Sequence, residues 1–207
     1  MNVEHIERSI ENAINNKSKV IPEILRLDGM SGNMVRHFLN NVANFDGVNY
    51  LEIGSWKGST ILSASCYNTG KFTAIDNFSE FGGPKQELLA NKNIFNLYCN
   101  FDFIEGSCWE IDQSLIPEYI NVYFFDGSHD YYSQKRAFTE FQGVFTSRFI
   151  AVIDDFNDKS GMVQKGTKDG IVESNLEILY EKVVGADRES DRQGWWNGLG
   201  IYLLEKK

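Results

Sequence analysis

Carboxylates and one histidine stand at the ends of several apolar runs in this 207-residue chain. The run Val122-Tyr123-Phe124-Phe125 stops at Asp126, and His129 follows three positions later. A second run, "RFIAVI" (148–153), ends in Asp154-Asp155, and a third, "KFTAI" (71–75), ends in Asp76. A carboxylate can accept hydrogen bonds from neighbouring hydroxyls or ligate a hard cation, and a histidine can accept a proton near neutrality. Each also has a purely structural alternative. Asp126 could cap the following helix, Asp155 could close an Asx-turn with Asn157, and a lone histidine is more often structural than catalytic.

These residues act together only if their runs are neighbouring strands. Five apolar runs, "VNYLEI", "KFTAI", "FDFIE", "INVYFF" and "RFIAVI", alternate with the amphipathic stretches "GSTILSASCYN", "PKQELLANKNIFNLY", "EIDQSLI" and "YYSQKRAFTEFQGVF". Strands alternating with helices imply right-handed crossovers and a parallel sheet buried on both faces. "IVESNLEILYEK" reads as a further helix, and "KVVGAD" and "GIYLLEK" as a closing hairpin joined by "RESDRQGWWNG". The expected architecture is α/β: a Rossmann-like, doubly wound, seven-stranded sheet, mostly parallel with an antiparallel last strand. Residues 1–47 form an N-terminal helical cap with a turn at "LDGMSGN", and residues 48–207 a single compact unit. Ligands of such sheets bind outside the carboxyl ends of the strands, where all these acids fall. A turn beginning at Asp155 would bring its side chain to the same side as that of Asp154. The glycine-bearing "DKSGMVQKGTKDG" reads as a lid or a long surface loop, and Trp195-Trp196 as pocket lining or hairpin packing.

Composition restricts the partners. A formal net charge of -9 disfavours nucleic acid and anionic membrane, since phosphate binding needs clustered Lys and Arg; Lys165 and Lys168 are at best a small patch. Cys66, Cys99 and Cys108 are odd in number and widely spaced, which suggests neither a disulfide framework nor a thiolate metal site. With a polar, charged N-terminus and no long apolar span, a cytoplasmic location is expected.

"LEIGSWKGST" places glycines between a strand and a helix. A dinucleotide fingerprint needs G-x-G-x-x-G, but Trp56 stands where the second glycine belongs and obstructs a pyrophosphate. That argues against an NAD-type oxidoreductase. Asp76 lies 22 positions after Gly54 (76 − 54), close to the spacing of a ribose-binding acid. A ligand carrying adenosine without phosphates, such as S-adenosylmethionine, meets these conditions.

The ordered set E-I-G-x-x-x-G-S-T, a strand ending in Asp, D-G-x-H-x-Y, and a strand ending in Asp-Asp resembles class I S-adenosylmethionine-dependent methyltransferases. It is most similar to their metal-dependent, macrocin-type O-methyltransferase branch, over roughly residues 48–207. The resemblance implies that Glu52, Gly54, Gly58 and Ser59 shape the cofactor loop and that Asp76 holds the ribose. Ser107 and Cys108 fall where relatives contact adenine, with Trp109 stacking there or packing in the core. It implies Mg²⁺ on Asp126, Asp154 and Asp155, with Asp126 and His129 as the catalytic pair. A divalent cation would fix an acceptor hydroxyl and lower its pKa. The expected acceptor is a small molecule or a glycan, and the helical cap could mediate a homodimer. Two alternatives stay open: a metal-independent enzyme using His129 or Asp126 as base, and a noncatalytic cofactor-binding domain.

Overall fold

A computed structural model describes residues 2–185 and 190–207. Three helices come first: α1 (Val3–Ile14), α2 (Pro22–Leu25) and α3 (Asn33–Val42). Then β1 (Val48–Ile53), α4 (Ser59–Ser65), β2 (Gly70–Asp76), α5 (Lys85–Ile94) and β3 (Asp102–Glu105) follow. A short 3-10 turn, Gln113–Leu115, precedes β4 (Ile120–Phe125), α6 (Tyr131–Thr139) and β5 (Phe145–Ile153). The chain ends with α7 (Met162–Glu173), β6 (Leu176–Val184) and β7 (Leu199–Lys206).

The seven strands form one sheet in the order β3-β2-β1-β4-β5-β7-β6. The first five pair in parallel, whereas β7 runs antiparallel to both β5 and β6. This is the doubly wound, seven-stranded sheet with an antiparallel last strand that the alternating runs predict. Order reverses at β1, whose two neighbours are β2 and β4, so their carboxyl ends flank one crevice.

Alternation along the strands divides the core between the two faces. Tyr50, Phe72, Val122, Phe124, Ile150 and Val152 pack with α1 to α5, whereas Leu51, Tyr123, Phe125, Phe149, Ala151 and Ile153 pack with α6 and α7. Burying each large side chain contributes about 1.5–3 kcal/mol, so the "INVYFF" run alone strongly fixes the strand that carries Asp126.

Two expectations are corrected. Most of the segment read as a lid, residues 158–170, is α7, and its glycines are contact points, not breakers. A Cβ on Gly166 would lie 2.5 Å from the Tyr131 carbonyl oxygen, and one on Gly170 2.7 Å from that of Lys135. The helix read in "IVESNLEILYEK" instead divides: α7 ends at Glu173, Asn175 turns to φ +54°, and Leu176 begins the edge strand β6. Asparagine tolerates this left-handed conformation and commonly ends helices. Of the run "KVVGAD", Ala186 and Asp187 lie outside the described residues, as do Arg188 and Glu189 of the hairpin connection.

Candidate active site

The crevice begins at Gly54, which leaves β1 with φ +85°. A Cβ there would fall 1.9 Å from the Asp126 carbonyl oxygen, so the β1 and β4 ends approach as closely as only glycine permits. Gly58, also at φ +85°, ends the loop, and α4 starts at Ser59. Asp76 fastens this loop from β2. Its Oδ2 accepts from the backbone amides of Ser55 (2.8 Å) and Trp56 (2.7 Å), and its Oδ1 from that of Phe78 (2.7 Å). The carboxylate expected to hold a ribose therefore already fixes the loop, with part of its acceptor capacity left over. Trp56 extends over the crevice rim, donating from Nε1 to the Phe81 carbonyl (3.1 Å).

Glu52 is sealed in the core. It accepts from Thr60 Oγ1 (2.7 Å) and the Tyr50 hydroxyl (3.0 Å), so it anchors the first turn of α4 from below. On the opposite rim, Ser107 Oγ accepts from the Trp109 amide (3.3 Å), and burial pushes the Cys108 thiol up to about 12. Trp109, half-buried, packs against Phe125 and Phe141 beneath the Arg136 guanidinium.

Past β4 and β5 the acids and His129 come together. Asp155 adopts φ +52°, and its Oδ2 reaches His129 Nδ1 at 2.8 Å, while His129 Nε2 lies 3.9 Å from Asp126 Oδ1. Asp126 does not cap α6: Asp130 does, accepting from Tyr132 N (2.9 Å) and Ser133 N (3.0 Å). The neighbouring carboxylates of Asp126 and Asp155 raise His129 to about 10 against its burial, which favours the imidazolium at neutral pH. Burial raises Asp126 to about 6, opposed by His129. Burial, with the charges of Asp126 and Asp155, also holds Asp154 well above the carboxylate range.

Beside this cluster is a cavity of about 330 Å³ lined by His129, Asp155, Asn157, Asp158, Lys159, Ser190 and Asn197. No sequence motif marks Ser190 or Asn197; only the β7 turn brings them there. Trp195 packs on Phe38 and against Gly185, away from the cavity lining. Lys165 and Lys168 are paired with Asp169 (2.5 Å) and Glu181 (3.2 Å), and form no basic patch.

The fold has solved counterparts. An O-methyltransferase from Bacillus cereus in complex with S-adenosylhomocysteine aligns over 100% of this chain and 92% of its own, with TM-score 0.57 and 12% identity. The fold is that of S-adenosylmethionine-dependent methyltransferases. A Pyrococcus horikoshii chain assigned as an RNA methyltransferase aligns over 96% of this chain and 98% of its own (TM-score 0.57, 12% identity). TrmN from Thermus thermophilus aligns over 89% of this chain (TM-score 0.60, 10% identity), which spans about half, 52%, of its length. No family model and no curated protein matches the sequence. At such identities the likeness carries the fold, and the chemistry rests on the site.

Within this methyltransferase fold, the residues present fit the cofactor. The Gly54 turn leaves no side chain between the strand ends, and the buried Ser55 hydroxyl beside it has no protein partner. The fit to magnesium is poorer. Among the described residues no group of three or more His, Cys, Asp or Glu is arranged to hold a metal ion, and His129 already engages Asp155. No helix among them is long and apolar enough to cross a membrane.

Proposed function

We propose that this chain is an S-adenosylmethionine-dependent methyltransferase acting on a hydroxyl of a polar small molecule or sugar. The observation that carries the reading is the contact between its two halves. The Gly54 turn lies directly against the Asp126 backbone, so the cofactor loop adjoins the Asp126–His129–Asp155 cluster and its polar cavity.

When bound, the cofactor supplies a methyl group on a sulfonium, already electrophilic; what the protein must add is a correctly held acceptor oxygen and a route for its proton. Asp126 lies behind His129 and does not line the cavity, so an acceptor hydroxyl that reaches past the ring would lose its proton to Asp126 as the oxygen–methyl bond forms, giving a methyl ether and S-adenosylhomocysteine. Asp126, at about 6, is mostly ionised at neutral pH and matched to that task. His129, held as a cation, is suited to stabilise charge developing on the oxygen, which moves the base role from His129 to Asp126. The net charge of -9 and the paired lysines oppose an RNA acceptor.

Calorimetry with S-adenosylhomocysteine is expected to show saturable binding; a folded protein that binds none would remove the reading. Binding without methyl transfer to any member of a broad panel of hydroxyl acceptors would instead mark a noncatalytic binding domain.

A second, magnesium-assisted reading is favoured by one observation: Asp154 Oδ1 and Asp155 Oδ1 are buried without hydrogen-bond partners. Oxygen donors of that kind suit a hard cation. Turnover unchanged in excess chelator is the expected result if Asp126 and His129 suffice, and loss of turnover restored by magnesium favours the metal.

A further inference from the structure

Arg36 lies on α3 in the helical cap and is 2% exposed. Its Nη1 donates to the carbonyls of Ile24 (3.2 Å), Leu25 (3.0 Å) and Leu27 (2.9 Å), and its Nε to Ser31 Oγ (2.9 Å). These contacts cap α2 and account for two of the three guanidinium nitrogens. All of these acceptors are neutral. Among the described residues Arg36 has no carboxylate partner, and Asp28, close by in the chain, pairs with Lys57 at 2.9 Å instead. Asp28 attracts Arg36 only through space, and Arg192 repels it; a buried cation whose hydrogen-bond partners are all neutral is costly, and a bound anion would offset that cost.

The remaining nitrogen shows where that anion would bind. Among the described residues Nη2 donates to no protein atom, and the side chain keeps 2% exposure. Gly29 lies against it: a Cβ on Gly29 would be 2.7 Å from Nη2 and 2.2 Å from Ser59 Oγ. Ser59 Oγ in turn lies 3.4 Å from Ser31 Oγ. Two hydroxyls and a free guanidinium edge thus meet at the residue that follows the 54–58 loop. Guanidinium and hydroxyl donors together match a carboxylate.

We propose that Arg36, with Ser31 and Ser59, binds the carboxylate on the amino-acid arm of the cofactor, so that the cap completes the cofactor site. The assignment rests on the methyltransferase reading and extends it to a residue outside every loop motif. It explains why the cap is packed into the same core as the sheet: Val35 and Phe38, flanking Arg36 on α3, are fully buried with Ile61 and Leu62 of α4.

The test compares two ligands by calorimetry. S-adenosylhomocysteine carries the amino-acid arm; 5′-methylthioadenosine has the same nucleoside and a thioether but lacks it. Arg36→Gln is expected to weaken S-adenosylhomocysteine by about 10-fold or more and leave methylthioadenosine within about twofold. Gly29→Ala is the companion variant. It retains the Arg36 side chain but crowds Nη2 and Ser59, so the same selective loss is expected even if Arg36→Gln does not fold. Equal losses for both ligands, or no loss for either, overturn the assignment while leaving cofactor binding intact. Wild-type protein that binds neither ligand overturns the methyltransferase reading, and this proposal with it.

Discussion

Gly54→Ala should be among the most damaging single-atom-scale changes in the chain, lowering stability by about 3–5 kcal/mol and abolishing detectable S-adenosylhomocysteine binding. Two costs add. A side chain at φ +85° carries a penalty of about 1–2 kcal/mol in the left-handed region. The larger cost is steric: the new Cβ would lie 1.9 Å from the Asp126 carbonyl oxygen and 2.7 Å from its carbonyl carbon. Neither atom can swing away, because the Asp126 amide donates to the Ile53 carbonyl at 2.8 Å and the Gly54 amide to that of Ile75 at 2.9 Å. Relief requires the β1 and β4 ends to part, at the point where the cofactor loop meets the acid cluster. Gly47→Ala is the control. Gly47 has a similar φ, +79°, but open space where its Cβ would stand, so it isolates the dihedral penalty. Denaturant unfolding of both variants measures the difference. A Gly54→Ala loss no greater than that of Gly47→Ala would show that the close approach costs nothing.

That contact also marks the limit of what could be read in advance. The five parallel strands were legible as apolar runs, whereas most of the largely exposed β6 was read as helix instead. A parallel sheet sends every run's terminal acid to one edge. Asp126, His129 and Asp155 meet for that reason. What eluded sequence reading were residues whose meaning depends on a partner distant in the chain. Gly166 and Gly170 looked like loop residues because glycine weakens isolated helices, yet packing against α6 outweighs that preference. Asp76 stands at the end of β2, but the loop amides needed an acceptor and took its carboxylate first. Arg36 carried no signal at all. Between Val35 and His37 it reads as an ordinary surface position of a helix, and only the folded cap turns it inward.

Glu52→Gln should stabilise the protein, by an amount that grows as pH rises. Glu52 is 0% exposed, and burial raises its carboxyl from the ordinary 4.5 to about 8, against the hydrogen bonds from Thr60 and Tyr50 that favour the charged form. The folded state therefore holds a proton between pH 4.5 and about 8 that the unfolded chain has already released. Stability falls with rising pH wherever the native state binds more protons, so the wild type loses stability across that window. Each pKa unit corresponds to about 1.4 kcal/mol, which makes the cumulative loss roughly 3–5 kcal/mol by pH 9. Glutamine keeps the shape, accepts from one hydroxyl and donates to the other, and carries no titrating group. At pH 4 the two proteins should melt within a few degrees of each other, because both side chains are neutral. By pH 9 the variant should melt about 10 °C higher, at the ~2–4 °C per kcal/mol expected for a chain of this size. Affinity for S-adenosylhomocysteine should change little, since Glu52 acts on α4 through Thr60 and presents no surface to a ligand. A melting difference independent of pH would mean that Glu52 does not titrate in this window. A large loss of affinity would mean instead that the carboxylate reaches the cofactor.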